Sequence, residues 1–255
     1  MPRFKLLIEY AGTRYSGWQI QKNARTVQGE LDRAVCEVAR RREFELYGAG
    51  RTDAGVHALA QVAHLELYTD LAPELLRRKL NDELPADINI RSVEKVPHRF
   101  HARHDAVSRS YLYQISRRRS AFGKPFVWWI REPLDIERMR RAASAFVGMK
   151  DFQAFTDDDP GEKSTVVLVD RLDIAECGAL ILVRVQGSHF LWKMVRRIVG
   201  VLAAVGRGEL AARDAMGAGI DVAALTAPAA GLFLEGVYYD GDVGPGPLQP
   251  TLNIP

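Results

Sequence analysis

The residues most able to do chemistry lie in one short run from Gly48 to Ala58, Gly-Ala-Gly-Arg-Thr-Asp-Ala-Gly-Val-His-Ala. Three glycines within its first eight residues predict a tightly turned loop, and loops held between strands often carry reactive groups. Asp53 offers a carboxylate that could act as a nucleophile or stabilise an oxocarbenium-like sugar. Arg51 would keep this carboxylate ionised where substrate excludes water, so we expect the two side chains to hold each other at the mouth of a cleft.

Other interpretations of this run compete with the catalytic one. A Rossmann fingerprint would need a third glycine at Asp53 and a helix after it, whereas a strand is expected there. A Walker loop would need Gly-Lys followed by Ser or Thr, which the run lacks. A structural turn, in which Asp53 caps backbone N–H groups and Arg51 makes a surface ion pair, fits the spacing equally well.

The elements around this loop predict an α+β fold. The first half of the chain has the order β-α-β-β-α-β, with Thr26 capping one helix and Pro73 opening the next. The second half is similar, with Asp135 capping a helix that runs through Val147 and a long helix over 190–205. We expect two ferredoxin-like halves joined through a mainly antiparallel sheet with a central cleft. The predicted divisions are an N-terminal half with the catalytic loop at 1–104, a C-terminal half at 105–240 and an irregular tail at 241–255.

Composition and charge narrow the function classes. The 255 residues are 47% hydrophobic and carry a net charge of +3, as in an ordinary globular protein with a slight basic excess. Each basic cluster alone is typical of a solvated surface, but several together favour a polyanionic partner. No apolar run approaches the ~18 residues of a membrane-spanning helix. Two distant cysteines and no signal peptide lead us to expect a reduced, cytoplasmic protein without a structural zinc site. The basic clusters are Arg40–Arg42, Arg77–Lys79, Arg117–Arg119 and the group Lys193, Arg196 and Arg197.

Two further patterns could bind ligands. On the helix predicted over 190–205, basic residues project to one side and apolar residues to the other, which indicates either a solvated amphipathic helix or a face for RNA phosphates. His98, His101 and His104 recur every third residue, but they would not share one face of an extended chain, so we do not expect a metal site.

Several ordered motifs resemble one known family, the tRNA pseudouridine synthase A family. Its signature is similar to the run Gly50-Arg51-Thr52-Asp53-Ala54-Gly55-Val56-His57. The other similar stretches extend along almost the whole chain, and together they are more specific than any one alone. They are Tyr10–Thr13, Tyr15–Gln19, Phe100–Arg103, the strand at Tyr111, Phe190–Leu191, Met194–Arg196, Ile198–Gly200 and Gly231–Leu234.

The resemblance implies an enzyme that isomerises uridine to pseudouridine in the anticodon stem-loop of tRNA, typically at positions 38, 39 and 40. It implies no cofactor and no metal, and a homodimer. The catalytic residues it implies are Asp53, Arg51, Tyr111 and Arg196. The substrate-binding residues it implies are Tyr111, His101, Lys193, Arg197 and Leu234.

The chemistry of this reaction suits these residue types. Asp53 would attack the sugar or the base, or assist proton loss from the sugar, and the sequence does not choose among these. Tyr111 would stack on the flipped base, although its alternation with Tyr113 is equally typical of a core strand. The pair Ser188-His189 departs from the family pattern, which puts the local geometry of the site in question. An RNA-binding module without catalysis and a nucleoside hydrolase are the alternative functions.

Overall fold

The computed structural model describes residues 1–40, 43–217, 219–252 and 254, so Arg41 and Arg42 of the first basic cluster lie outside the described residues. Four helices and ten strands are present in this part of the chain. In chain order they are β1 (Arg3–Tyr10), α1 (Val27–Ala39), β2 (Phe44–Gly48), β3 (His57–Leu67), α2 (Pro73–Glu83), β4 (Ile88–Val96), β5 (Ala106–Ser116), β6 (Trp128–Trp129), α3 (Ile136–Ala143), β7 (Gly148–Asp151), β8 (Val166–Cys177), β9 (Leu180–Gly187), α4 (Met194–Arg207) and β10 (Leu232–Tyr239).

Contacts divide the chain into two compact units. The first unit comprises Met1–Val107 with Phe233–Gly244, and the second comprises Ser108–Leu232 with Pro245–Pro255. The predicted class is confirmed at this level, because the chain is a mixed α+β protein whose strands pair mainly antiparallel. No described residue after β10 belongs to a helix or strand.

The first unit is built around β1, which pairs antiparallel with β4 on one side and β3 on the other. Strand β2 also pairs antiparallel with β3, and β10 runs parallel to the start of β3. Alternate side chains of β1 are buried, as the period of a strand with one covered face requires. Helices α1 and α2 contact each other, and the Thr26 hydroxyl caps α1 by accepting from Gly29 N at 3.2 Å, as predicted.

The second unit is an antiparallel sheet in the order β5-β9-β8-β7, with β6 running parallel to β5. The Asp135 carboxylate caps α3 as predicted, accepting from Arg138 N at 2.9 Å. Helices α3 and α4 contact each other, and α4 is buried on nearly every side. Such a helix belongs to the core, whereas the sequence predicts an amphipathic helix with one basic face.

Two helix boundaries and two short strands differ from the prediction. Helix α4 begins at Met194, not at Phe190, because Lys193 adopts a left-handed conformation with φ of 62°. Helix α3 ends at Ala143 and a 3-10 turn follows it, so Val147 lies outside the helix. The short strands β6 and β7 were not predicted, since two and four residues are too few for a periodic pattern.

No helix in the described ranges is both long and apolar enough to cross a membrane.

Candidate active site

The loop that carries Asp53 joins two neighbouring antiparallel strands, β2 and β3. Its backbone is bonded at both ends to other parts of the first unit. Trp18 N donates to Thr52 O at 3.0 Å, and Gly55 N donates to Tyr15 O at 3.2 Å. The loop therefore has a fixed backbone on either side of Asp53, as a positioned catalytic group requires.

Glycines allow the segment 12–17 to approach this loop closely. A Cβ at Gly12 would lie 1.8 Å from Val56 O, and a Cβ at Gly17 would lie 2.6 Å from Thr52 O. Gly17 also has φ of +95°, a conformation that disfavours other residues. The glycines of the two N-terminal motifs thus serve the geometry of the loop around Asp53.

His57 is a structural member of the signature that the sequence reading did not single out. It is buried, and its Nδ1 accepts from Gly12 N at 3.0 Å. Its ring stacks on Phe233 with centroids 4.7 Å apart. These contacts tie the end of the loop to the segment 12–17 and to β10.

The expected pair between Arg51 and Asp53 is wrong. Arg51 is exposed, and its Nε donates to Gln19 Oε1 at 3.1 Å. The ion pairs among the described residues include none between Arg51 and Asp53. Sequence proximity suggested the pair, but Gln19, which is 32 residues away in the chain, holds the guanidinium instead.

His101 organises its own loop. Its Nδ1 accepts from Arg103 N at 3.1 Å and from His104 N at 3.2 Å, while its own backbone N donates to Asp105 Oδ2 at 2.9 Å. Burial lowers the pKa of His101, and the nearby His104 lowers it further. The Nδ1 side of the imidazole therefore supports the loop, which leaves only its Nε2 edge for a ligand.

Leu234 lies on β10 and is only 1% exposed. Its backbone is the parallel partner of Ala58, just after the loop of Asp53. The observed contact of Leu234 is thus with the strand that carries the loop.

In the second unit, Tyr111 and Tyr113 occupy different environments on β5. Tyr111 is half-buried and packs edge to face with Phe190, at 5.1 Å between centroids. Tyr113 is fully buried, its hydroxyl donates to Pro228 O at 2.7 Å, and burial raises its pKa well above the ordinary value. The core-strand alternative therefore describes Tyr113 well, whereas Tyr111 keeps exposed surface.

Arg196 is oriented by two hydrogen bonds to one residue. Its Nε donates to Ala227 O at 2.8 Å, and Ala227 N donates to Arg196 O at 3.1 Å. The segment 225–227 is pressed against α4, since a Cβ at Gly200 would lie 1.6 Å from Leu225 O. The guanidinium is thus held at its Nε side in a fixed direction.

Lys193 and Arg197 do not form the exposed basic edge that the helical pattern predicts. Lys193 Nζ contacts Asp157 Oδ2 at 2.8 Å, and Arg197 is bonded to the same carboxylate while only 3% exposed. Hydrogen bonds from Lys193 and then Arg197 lower the pKa of Asp157. Without RNA these two residues are not free cations, because an acid 36 and 40 residues away neutralises them, and their contact with phosphates stays a prediction.

The predicted site residues fall into two groups, each within one unit. The first unit contains Arg51, Asp53, His101 and Leu234, and the second contains Tyr111, Lys193, Arg196 and Arg197.

Among the described residues, no group of three or more His, Cys, Asp or Glu side chains could hold a metal ion.

Comparisons with known proteins agree with the motifs. The sequence model of the family described as tRNA pseudouridine synthase matches residues 6–105 and 142–240. A relative from Afipia carboxidovorans, named tRNA pseudouridine synthase A, is 41% identical across 94% of this chain and 100% of the relative. Relatives of the same name from Paramagnetospirillum magneticum and Pseudothermotoga lettingae are 40% and 38% identical, and cover 96% and 94% of this chain and 98% and 100% of their own lengths.

A solved structure, the archaeal box H/ACA Nop10-Cbf5 complex, is similar over 80% of this chain and 44% of its own chain, with a TM-score of 0.40 and 12% identity. That similarity is too low to bear on function.

The matches make the chain an enzyme of the isomerase class. It belongs to the tRNA pseudouridine synthase family, as the ordered motifs predicted.

Proposed function

We propose that this enzyme converts uridine to pseudouridine in tRNA and that Asp53 is its catalytic carboxylate. The observation that carries the proposal is the loop of Asp53, whose backbone is bonded to the segment 12–18 on both sides of the aspartate. Membership of the family supports the reaction, and the resemblance of the motifs supports positions 38, 39 and 40 of the anticodon stem-loop as targets.

The reaction is an isomerisation, so the substrate and the product contain the same atoms at the same oxidation level. The bond between N1 and the ribose breaks, the base rotates, and carbon 5 bonds to the ribose while its proton is lost and N1 gains one. Asp53 attacks the sugar or the base, or assists proton loss from the sugar. Nothing is oxidised or hydrolysed in any of these routes.

Tyr111 and Arg196 act on the same nucleotide in this proposal. The half-buried ring of Tyr111, backed by Phe190, can stack on a flipped base and recover roughly 1–3 kcal/mol of the cost of unstacking. Arg196 has its Nε fixed by Ala227, so its remaining donors are directed rather than mobile. A guanidinium so oriented can hold a carboxylate or a phosphate at the target.

Three further expectations, about the fold of the first unit, the oligomeric state and the location, belong with this proposal. The strand order β4-β1-β3-β2 with two helices supports a ferredoxin-like first unit. A tRNA is larger than one chain of this size, which supports a homodimer, and light scattering without RNA measures the dimer directly. The expectation of a cytoplasmic location follows from tRNA as the substrate.

The test follows tritium at carbon 5 of uridine. We expect wild-type enzyme to release tritium from unmodified tRNA, and Asp53→Asn to lower the rate by roughly a thousandfold or more with RNA affinity retained. Asp70→Asn is the matched control, because Asp70 is an exposed aspartate of the same unit. It should release tritium at the wild-type rate.

Other outcomes separate the alternatives. Wild-type protein that binds tRNA but releases no tritium would be an RNA-binding module. Release of free uracil would make the protein a hydrolase. An Asp53→Asn variant that cannot fold would support the structural turn.

A further inference from the structure

A small recess lies beside the catalytic loop in the first unit. It has a volume of about 40 Å³ and its rim includes Gln28, Tyr47, Arg51 and Arg103. That volume holds an amino group or a hydroxyl group but not a whole nucleobase. Because Arg51 is two residues from Asp53, whatever occupies the recess lies close to the target nucleotide.

One residue that lines this recess, Gln28, has a side-chain acceptor without a hydrogen-bond partner in the described part of the chain. Gln28 Nε2 donates to Leu46 O at 3.2 Å, and a carbonyl can only accept, so the orientation of the amide is fixed. Gln28 Oε1 is then the free acceptor, and it is buried with no hydrogen-bond partner in the part of the chain that the structure describes. A buried acceptor without a donor is costly, which favours a ligand that brings an N–H group.

The rim of the recess fits a nucleotide. Tyr47 is 47% exposed, and it is backed by the rings of His64 at 5.9 Å and His101 at 5.1 Å. An aromatic ring supported in this way can stack a base, and the guanidinium groups of Arg51 and Arg103 add positive charge for its phosphate. The amide of Gln28, which lines the recess, carries no charge that would hold a phosphate, so the base edge and not the phosphate enters.

We propose that this recess is a second nucleotide subsite, in which a base next to the target uridine stacks on Tyr47 and the Gln28 side chain turns towards it, so that an amino N–H of the base donates to Gln28 Oε1. This proposal rests on the proposed function, since the ligand is part of the substrate RNA. It makes the enzyme sensitive to the identity of a base that it does not modify, because uracil has no exocyclic amine.

The test uses stem-loop RNAs with one target uridine and an altered base at each unpaired position beside it. Adenine is compared with purine, and cytosine with pyrimidin-2-one, so that each pair differs only by the amine. Wild-type enzyme should prefer the amine at one position by roughly three- to tenfold in kcat/KM. Gln28→Met should abolish this ratio, which the loss of its bond to Leu46 O alone would not do.

Stacking is tested separately. Tyr47→Ala should raise KM for every RNA by roughly tenfold, and Tyr47→Phe, which keeps the ring, should bind RNA at least about fivefold more tightly than Tyr47→Ala. Tyr68→Ala is the control, since Tyr68 is 57% exposed in the same unit and does not line the recess, and its KM should equal that of the wild type.

The proposal is overturned if no position shows an amine preference, if Gln28→Met keeps the preference, or if only removal of a ribose 2′-hydroxyl alters the rate. Failure of the proposed function looks different, because then no RNA yields pseudouridine. In that case fluorescence anisotropy on the same adenine and purine RNAs still reports whether Gln28 reads the amine.

Discussion

The loop of Asp53 and the first turn of α4 are both held rigidly, but by different means. The loop is held by main-chain hydrogen bonds and by glycines that admit a second segment, and its Arg51 stays exposed. The turn of α4 is held by charge, because Lys193 and Arg197 share the carboxylate of Asp157. The shape of the loop thus follows from glycines that can be recognised in the sequence. Whether a lysine or arginine of α4 is free to bind a ligand depends instead on an acid far away in the chain.

The largest expected effect comes from filling the two closest glycine contacts. Gly12→Ala would place a Cβ 1.8 Å from Val56 O, and Gly200→Ala would place one 1.6 Å from Leu225 O, so backbone must move in each. We expect each variant to lose roughly 3 kcal/mol or more of unfolding free energy in denaturant titrations. Gly246→Ala is the control, because nothing lies within 4 Å of its Cβ. A Gly12→Ala variant as stable as the wild type would show that close approach does not hold the loop.

The next effect is a pH dependence in the first unit. Burial, followed by the charges of Arg3 and His101, lowers the pKa of His64 to about 4, and its Nδ1 accepts from Ala102 N at 3.1 Å. Since the folded pKa lies below the unfolded value of about 6.5, the stabilisation is complete above pH 6.5 and is lost as pH falls towards 4. Between pH 7 and 5 the contribution to unfolding free energy is about 2 kcal/mol.

His64→Asn isolates this contribution, because the amide oxygen of asparagine can accept from Ala102 N without titrating. Its unfolding free energy should fall less between pH 7 and 5 than that of the wild type. Equal falls in both proteins would mean that His64 takes up its proton at the same pH in the folded protein as in the unfolded chain.

Much of the fold could be predicted because its signals are local. The caps Thr26 and Asp135 satisfy helix N–H groups within three residues, and β1 buries alternate side chains from end to end. The position of Asp53 in a loop between strands also follows from neighbouring glycines. Local patterns therefore determine where helices begin and where the backbone turns.

The rest depends on contacts that no local pattern contains. The helical period cannot show that Asp157 neutralises Lys193 and Arg197, or that Gln19 holds Arg51. The recess at Gln28 combines a helix, a strand and three loops, so it has no signature of its own. Long-range partners decide which charges remain available for a ligand.

A smaller effect tests the charge pairing of α4. Asp157→Asn would leave Arg197 buried without its anion, but the 37% exposure of the Asp157 side chain admits water, so we expect a loss of about 1–2 kcal/mol in unfolding free energy. The pKa of Asp157 is lowered in the fold, so the wild-type contribution is complete above the ordinary value of 3.8 and is lost as pH falls below it. Asp170→Asn, at an exposed position of β8, should leave the stability unchanged.

A double variant tests whether the unpaired charge of Arg197 causes this loss of stability. In Asp157→Asn with Arg197→Met no buried charge remains beside residue 157, so much of the lost stability should return. A double variant less stable than Asp157→Asn alone would show that the packing of Arg197, and not its charge, matters at α4.

The smallest expected effect tests whether the loop of Asp53 and the first turn of α4 contribute differently to tRNA affinity. Lys193→Gln should change tRNA affinity by less than about twofold, because Asp157 already neutralises this ammonium, whereas Arg51→Gln should weaken binding and reduce the salt dependence by about one counterion. Fluorescence anisotropy with unmodified tRNA at several salt concentrations measures both slopes. If Lys193→Gln lowered the slope as much as Arg51→Gln, the pair with Asp157 would have to open when RNA binds. The basic face predicted from the helical pattern would then exist in the complex, because phosphate would compete successfully with a carboxylate of the same chain.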